Sequence, residues 1–142
     1  MPSLDLPDIS VSFAGGKKVD ASFGSFLIPT DQAVMDGGEA SAPQPFMLFL
    51  ASLATCAGIF VLGFCQKREI DAEGIHLTQT QKFAEGPDGK PRLAEIGIQI
   101  HVPPTFPEKY QDALVRVANQ CAVKQVIQDP PEFVVETCVS EA

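Results

Sequence analysis

The chain is poor in basic residues. Lys and Arg number 10 against 18 Asp and Glu, giving a formal net charge of −8 and a pI near 4.6. The basic residues are scattered, whereas binding to a phosphate backbone relies on clustered cations, so nucleic acid is not an expected partner. No arginine precedes Arg68, and no acidic residue falls between Glu39 and Glu69. The opening residues, MPSLDLPDIS, have neither a basic start nor an apolar run, so they do not read as an export signal. The four cysteines are accordingly expected to be reduced thiols in the cytoplasm rather than a disulfide framework. Gly15-Gly16 and Gly37-Gly38 lack the spacing of a phosphate-binding loop. The two histidines, His76 and His101, belong to no Cys/His or carboxylate cluster of metal-ligand spacing. Both read as surface side chains, and neither metal nor cofactor is expected. Internal repeats and low-complexity tracts are absent.

What is present reads as one α+β domain spanning residues 1–142. Hydrophobic residues make up 45% and charged residues 20% of the 142, enough for a core of ordinary size. Ile9, Val11 and Phe13 alternate with Ser10 and Ser12, and Gly15-Gly16 marks a hairpin turn. Val19, Ala21 and Phe23 continue a second strand. Phe26 and Ile28 begin a third, ended by Pro29, and residues 30–42 form a polar, Gly-rich loop. A long helix is expected from Pro43 to about Lys67, then a turn at Gly74 and a strand near 75–83. Residues 93–102 are the clearest strand: Ala94, Ile96, Ile98, Ile100 and Val102 share one face, with Glu95, Gln99 and His101 on the other. Pro103-Pro104 ends it. A second helix starts near Pro107, since proline is favoured at the first helical position. Tyr110, Leu114, Val117 and Cys121 recur on one face, and the helix runs, with a break, to Ile127. Asp129-Pro130-Pro131 stops it, and Phe133–Val139 reads as a closing strand. The order is βββ-α-ββ-α-β.

The long helix carries no charge from Ala40 to Cys65, more than the roughly 20 residues that cross a bilayer. A single membrane span is therefore one reading. Against it stand the dense small residues Ala51, Ser52, Ala54, Thr55, Ala57 and Gly58, the lack of a basic or aromatic anchor on the N-terminal flank, and surrounding amphipathic elements that need something to cover. A buried central helix is expected, with no membrane partner. A helix apolar on all sides must be covered on all sides, and a second copy of the chain does this more easily than 142 residues alone. A homodimer is expected.

Cys56 and Cys65 are nine residues apart, which on a helix means opposite faces and a rise of about 13 Å. A disulfide needs Cα atoms within about 7 Å, so these two cannot bridge. Cys56 and Cys121 each fall on a helix face expected to be buried, beside small residues that leave room next to the sulfur. They are either structural thiols, as buried cysteines usually are, or a working pair. Cys138 is the weakest candidate.

The segment Pro45-Phe46-Met47-Leu48-Phe49-Leu50-Ala51-Ser52-Leu53-Ala54-Thr55-Cys56 resembles the central-helix motif of the OsmC-like family, which includes osmotically inducible protein C and the organic hydroperoxide resistance proteins. Asn119-Gln120-Cys121-Ala122-Val123 resembles the family's second cysteine segment, where Cys-Pro-Val is common. The resemblance covers nearly the whole chain. It implies an intertwined α+β homodimer with sites at the subunit interface. It also implies a thiol peroxidase in which Cys56 attacks an organic hydroperoxide and becomes a sulfenic acid. Cys121 then resolves it to a disulfide, which an external dithiol reduces.

The chain departs from the family where the thiol is activated. The peroxidase branches place an arginine of the N-terminal hairpin beside the first cysteine, held by a glutamate near the start of the central helix. Here the hairpin has Lys17-Lys18, and Phe46 stands at the glutamate position. Glu39, in the preceding loop, substitutes only if that loop folds over the site. Lys124 falls near the helix face of Cys121 and could act on that thiol. Two readings follow. One is a Cys56/Cys121 peroxidase acting on hydroperoxides in an apolar pocket lined by residues such as Phe46, Phe49 and Phe60. The alternative is a non-catalytic dimer of the same fold that binds an apolar or electrophilic small molecule and keeps inert thiols.

Overall fold

A computed structural model of the protein describes residues 5–141. The chain resolves into two compact units, one ending at Ala51 and the other beginning at Ser52. The first holds an antiparallel sheet of β1 (Ser10–Gly15), β2 (Lys18–Phe23) and β3 (Phe26–Thr30) in that order. Gly15 and Gly16 have φ of 105° and 59°, which glycine adopts without steric cost, so the expected hairpin turn forms there. β3 runs through Pro29 to Thr30 rather than stopping at the proline. It is an edge strand, where a missing N–H costs no ladder bond.

After β3 the loop folds around one carboxylate. Asp31 is fully buried. It accepts bonds from the Gln32 N–H (2.7 Å), the Glu39 N–H (3.3 Å), the Ser41 N–H (3.0 Å) and the Ser41 hydroxyl (2.6 Å). Gly38 passes so close to the Gln32 carbonyl that any Cβ there would collide with it. Donors to the ionised form lower a carboxyl pKa. Led by the Ser41 hydroxyl and amide, they bring Asp31 from 3.8 to about 2.

The helix α1 (Pro45–Lys67) starts two residues later than Pro43. Leu50, Leu53, Ala57, Val61, Phe64 and Cys65 form its buried stripe, at the three- and four-residue spacing of one helix face. The face turned away from that stripe is apolar too at Ile59 and Leu62, and in the single chain both are exposed, as are Phe46 and Met47 in the first turn. The expected burial on every side is thus reached on one stripe only. α1 is long and apolar enough to cross a membrane by length and composition.

In the second unit, β4 (His76–Glu85) and β5 (Pro91–His101) form an antiparallel hairpin. Val61, Phe64, Cys65, Phe106 and Leu114 form the core, flanked by Leu77, Ile100 and Val102 from the hairpin. Tyr110 stands edge-on to Phe64 at 5.6 Å. Arg68 lays its guanidinium 3.7 Å from the Phe64 ring centroid, a cation–π contact at the end of α1.

The second helical region is broken. A 3-10 turn (Glu108–Tyr110) leads into α2 (Gln111–Ala118), and α3 (Ala122–Gln128) follows. Cys121 therefore lies on neither helix. It is the residue before α3, with φ −51° and ψ 122°. Asn119 competes poorly for helix against Ala, Leu or Lys, and its side chain instead accepts from Lys124 Nζ at 2.9 Å. The expected closing strand at Phe133–Val139 does not form. Residues 129–141 have no regular structure, and Phe133, Val134, Val135 and Val139 are exposed. The β-branched pattern is strand-like, but a strand needs a neighbouring edge to bond to, and among the described residues no strand pairs with it.

Two outcomes follow. Leu114→Ala, at 2% exposure, is expected to cost about 2–5 kcal/mol in urea unfolding. Because the Asp31 pKa is lowered by folding, its contribution is complete above pH 3.8 and is lost as pH falls towards about 2. Amide exchange at Gln32, Glu39 and Ser41 should accelerate across that window, and in Asp31→Ala it should be fast already at neutral pH, by about tenfold or more.

Candidate functional site

The site is built from the break between α2 and α3. In one continuous helix the N–H groups of Ala122 and Val123 would bond to carbonyls four residues back. Because α3 begins afresh at Ala122, its first-turn N–H groups have no intrahelical acceptor. They reach the sulfur of Cys56, which α1 presents half-buried. Cys121, buried at the same break, hydrogen-bonds to Cys56 as well.

These contacts divide the two thiols. Burial pushes the Cys56 thiol up. The hydrogen bond from Cys121 and the N–H groups of Val123 and Ala122 outweigh it, so the net pKa lies below the ordinary 9.0. Burial also raises Cys121, donation to Cys56 raises it further, and the backbone N–H groups of Lys124 and Val123 offset only part of this. One sulfur is thus favoured as thiolate, the nucleophilic form, and the other is kept as the thiol that donates to it. The position of Cys56 deep within α1 leaves it little help from the dipole of its own helix. The donors come from the first turn of α3. Its only signal was the resemblance to Cys-Pro-Val, since proline after the cysteine marks a helix start.

Other candidate residues make contacts of their own. Lys124 sends its ammonium to Asn119, and what reaches Cys121 is the Lys124 backbone N–H. Lys18 and Glu39 form an ion pair, Nζ to Oε2 at 2.8 Å, which raises the Lys18 pKa through the hydrogen bond and the charge of Glu39. Glu39 is therefore paired rather than solitary, and its backbone is tied to Asp31. Lys17 takes no part in that pair. Phe46 is exposed and touches Phe49, ring centroids 5.7 Å apart, while Phe60 is half-buried. Cys65 is fully buried, and burial pushes its thiol up against the smaller opposing charge of Arg68, which marks it as an inert core thiol. Cys138 is exposed. All four described cysteines are free. Among the described residues no group of three or more His, Cys, Asp or Glu could hold a metal.

Comparison with known proteins bears on the same geometry. A protein from Psychrobacter arcticus, described as a putative osmotic stress induced and detoxification response protein, is 24% identical. Its TM-score is 0.70, and the match covers 88% of this chain and 90% of that one. An OsmC-like protein of Mycoplasma pneumoniae is 19% identical with a TM-score of 0.69, covering 92% and 91%. An organic hydroperoxide resistance protein OsmC of Legionella pneumophila is 19% identical with a TM-score of 0.62, covering 89% and 91%. No curated protein sequence matches. At these identities the structural likeness establishes the fold. The model of the family described as OsmC-like protein matches residues 38–136, a stretch that contains both Cys56 and Cys121, and the chain belongs to that family.

Proposed function

We propose that this protein is a Cys-based thiol peroxidase that reduces organic hydroperoxides, with Cys56 as the peroxidatic and Cys121 as the resolving residue. The observation that carries the reading is the Cys56 sulfur held by the Cys121 thiol and by the N–H groups of Ala122 and Val123. Membership of the OsmC-like family supports it. The Cys56 thiolate attacks the terminal oxygen of the hydroperoxide, the O–O bond breaks, and the alcohol leaves with a proton. Cys56 is then a sulfenic acid. The Cys121 sulfur attacks that sulfur, water leaves, and a Cys56–Cys121 disulfide forms. An external dithiol returns both to thiols by exchange. The donors that favour the thiolate occupy the role that the missing hairpin arginine has in the peroxidase branches.

The reading includes a homodimer in the cytoplasm. The exposed apolar face of α1 at Ile59 and Leu62 is the surface a second copy would cover, in keeping with the tendency of exposed apolar patches to mark interfaces. Sedimentation should then return twice the 15.2 kDa chain mass without detergent, and Ile59→Lys should yield monomers.

The chemistry is tested by mass spectrometry after one equivalent of cumene hydroperoxide. The expected product has lost two hydrogens, mapped to Cys56–Cys121. In Cys121→Ser the product should instead gain one oxygen at Cys56, and Cys56→Ser should leave dithiol-dependent turnover at the buffer rate. An unmodified chain would reject the peroxidase in favour of a dimer that binds an apolar or electrophilic ligand with its thiols idle. Because the Cys56 pKa is lowered, its alkylation by iodoacetamide should persist at pH values where an ordinary thiol is protonated. Cys121→Ala removes a donor and should move that profile to higher pH.

A further inference from the structure

His76 and His101, 25 positions apart in sequence, are direct partners across the β4–β5 hairpin. Their rings stack with centroids 4.4 Å apart and planes 12° from parallel. Side chains alternate along a strand and direct partners point to the same side of the sheet, so His76, Thr78, Gln99 and His101 share one face. Thr78 Oγ1 lies 2.8 Å from His101 Nε2. When the hydroxyl oxygen accepts from Nε2–H, the lone pair of that ring sits on Nδ1. An oxygen acceptor on the far nitrogen is the usual outer partner of a metal-ligating histidine.

We propose that His76 and His101 form a two-histidine chelate for a borderline divalent transition metal such as Zn2+, Ni2+ or Cu2+, with Thr78 as the residue that positions the His101 ring. Imidazole suits these ions rather than Mg2+ or Ca2+, which prefer oxygen. Two nitrogens bound tetrahedrally to one ion at about 2.0–2.1 Å lie about 3.4 Å apart. The ring centroids of such a chelate stand about 5 Å apart, so rings now stacked at 4.4 Å open by about 1 Å as the exposed His76 ring turns to converge the lone pairs. The paired strand ends hold both Cα positions, so little chain entropy remains to be lost on binding. The net charge of −8 favours cation approach. With no third protein ligand gathered among the described residues, the remaining coordination positions are left to water or an external donor. The site is open and independent of the Cys56–Cys121 pair.

These are the only two histidines of the chain, so their carbon-bound ring protons in an NMR spectrum report on this site alone. On addition of Ni2+ the two sets of signals should change together along one binding curve. In His76→Ala the midpoint at His101 should rise by about tenfold or more, because a second ligand fixed on the same scaffold acts at high effective concentration. His101→Ala read at His76 gives the reciprocal test should the first variant fold poorly, which the backbone amide spectrum reveals. Two rings that follow separate curves, or a single-histidine variant with an unchanged midpoint, would overturn the proposal.

Discussion

The site depends on the interruption between α2 and α3. An unbroken helix through residue 121 would use the N–H groups of Ala122 and Val123 internally and would place Cys121 within a continuous apolar stripe. With the break, those N–H groups become donors without an acceptor, and the sulfur of Cys56 takes that place. The same break puts Cys121 at the start of α3, close enough to hydrogen-bond the first thiol. A half-buried sulfur would otherwise be driven toward the neutral form by desolvation. The backbone thus supplies, through oriented dipoles, a stabilisation that the family resemblance would assign to a side-chain cation.

The first unit shows a comparable economy. Asp31 collects three backbone N–H groups and the Ser41 hydroxyl, which organises the polar loop around a single carboxylate. Because one of those N–H groups belongs to Glu39, the loop also sets where the Glu39 side chain starts, and that side chain reaches Lys18. The first unit thus carries a cation–carboxylate pair of its own, made with lysine, which lacks the planar fork of arginine. Isolated and partly exposed, such a pair adds little to stability. Its effect is to set the Lys18 side chain and keep it charged.

Several elements are legible in the sequence. The alternation of Ala94–Val102, the Gly15-Gly16 turn and the uncharged run ending at Lys67 each map onto an observed element, because each is a local pattern with a local physical cause. The failures were not local. Phe133–Val139 has the composition of a strand, and among the described residues no strand pairs with it. Cys121 matched the spacing of a helix face, and periodicity does not register where a break falls when the spacing stays nearly intact. The histidines looked unrelated because a separation of 25 residues carries no signal until the β4–β5 register is known.

The sequence by itself determined the α+β class, the long apolar helix, the inability of Cys56 and Cys65 to bridge, and the choice of Cys56 and Cys121 as the thiols to consider. These follow from composition, period and helical geometry, quantities that belong to the chain. Tertiary structure alone decided what surrounds each sulfur: the donors on Cys56 are backbone groups, which every residue carries and no sequence motif names. It likewise decided that Cys65 is enclosed in the core, that Glu39 meets Lys18, and that His76 stacks on His101. A thiol's protonation depends on the dipoles and burial within a few ångströms of it, and those are set by which distant segments the fold brings together.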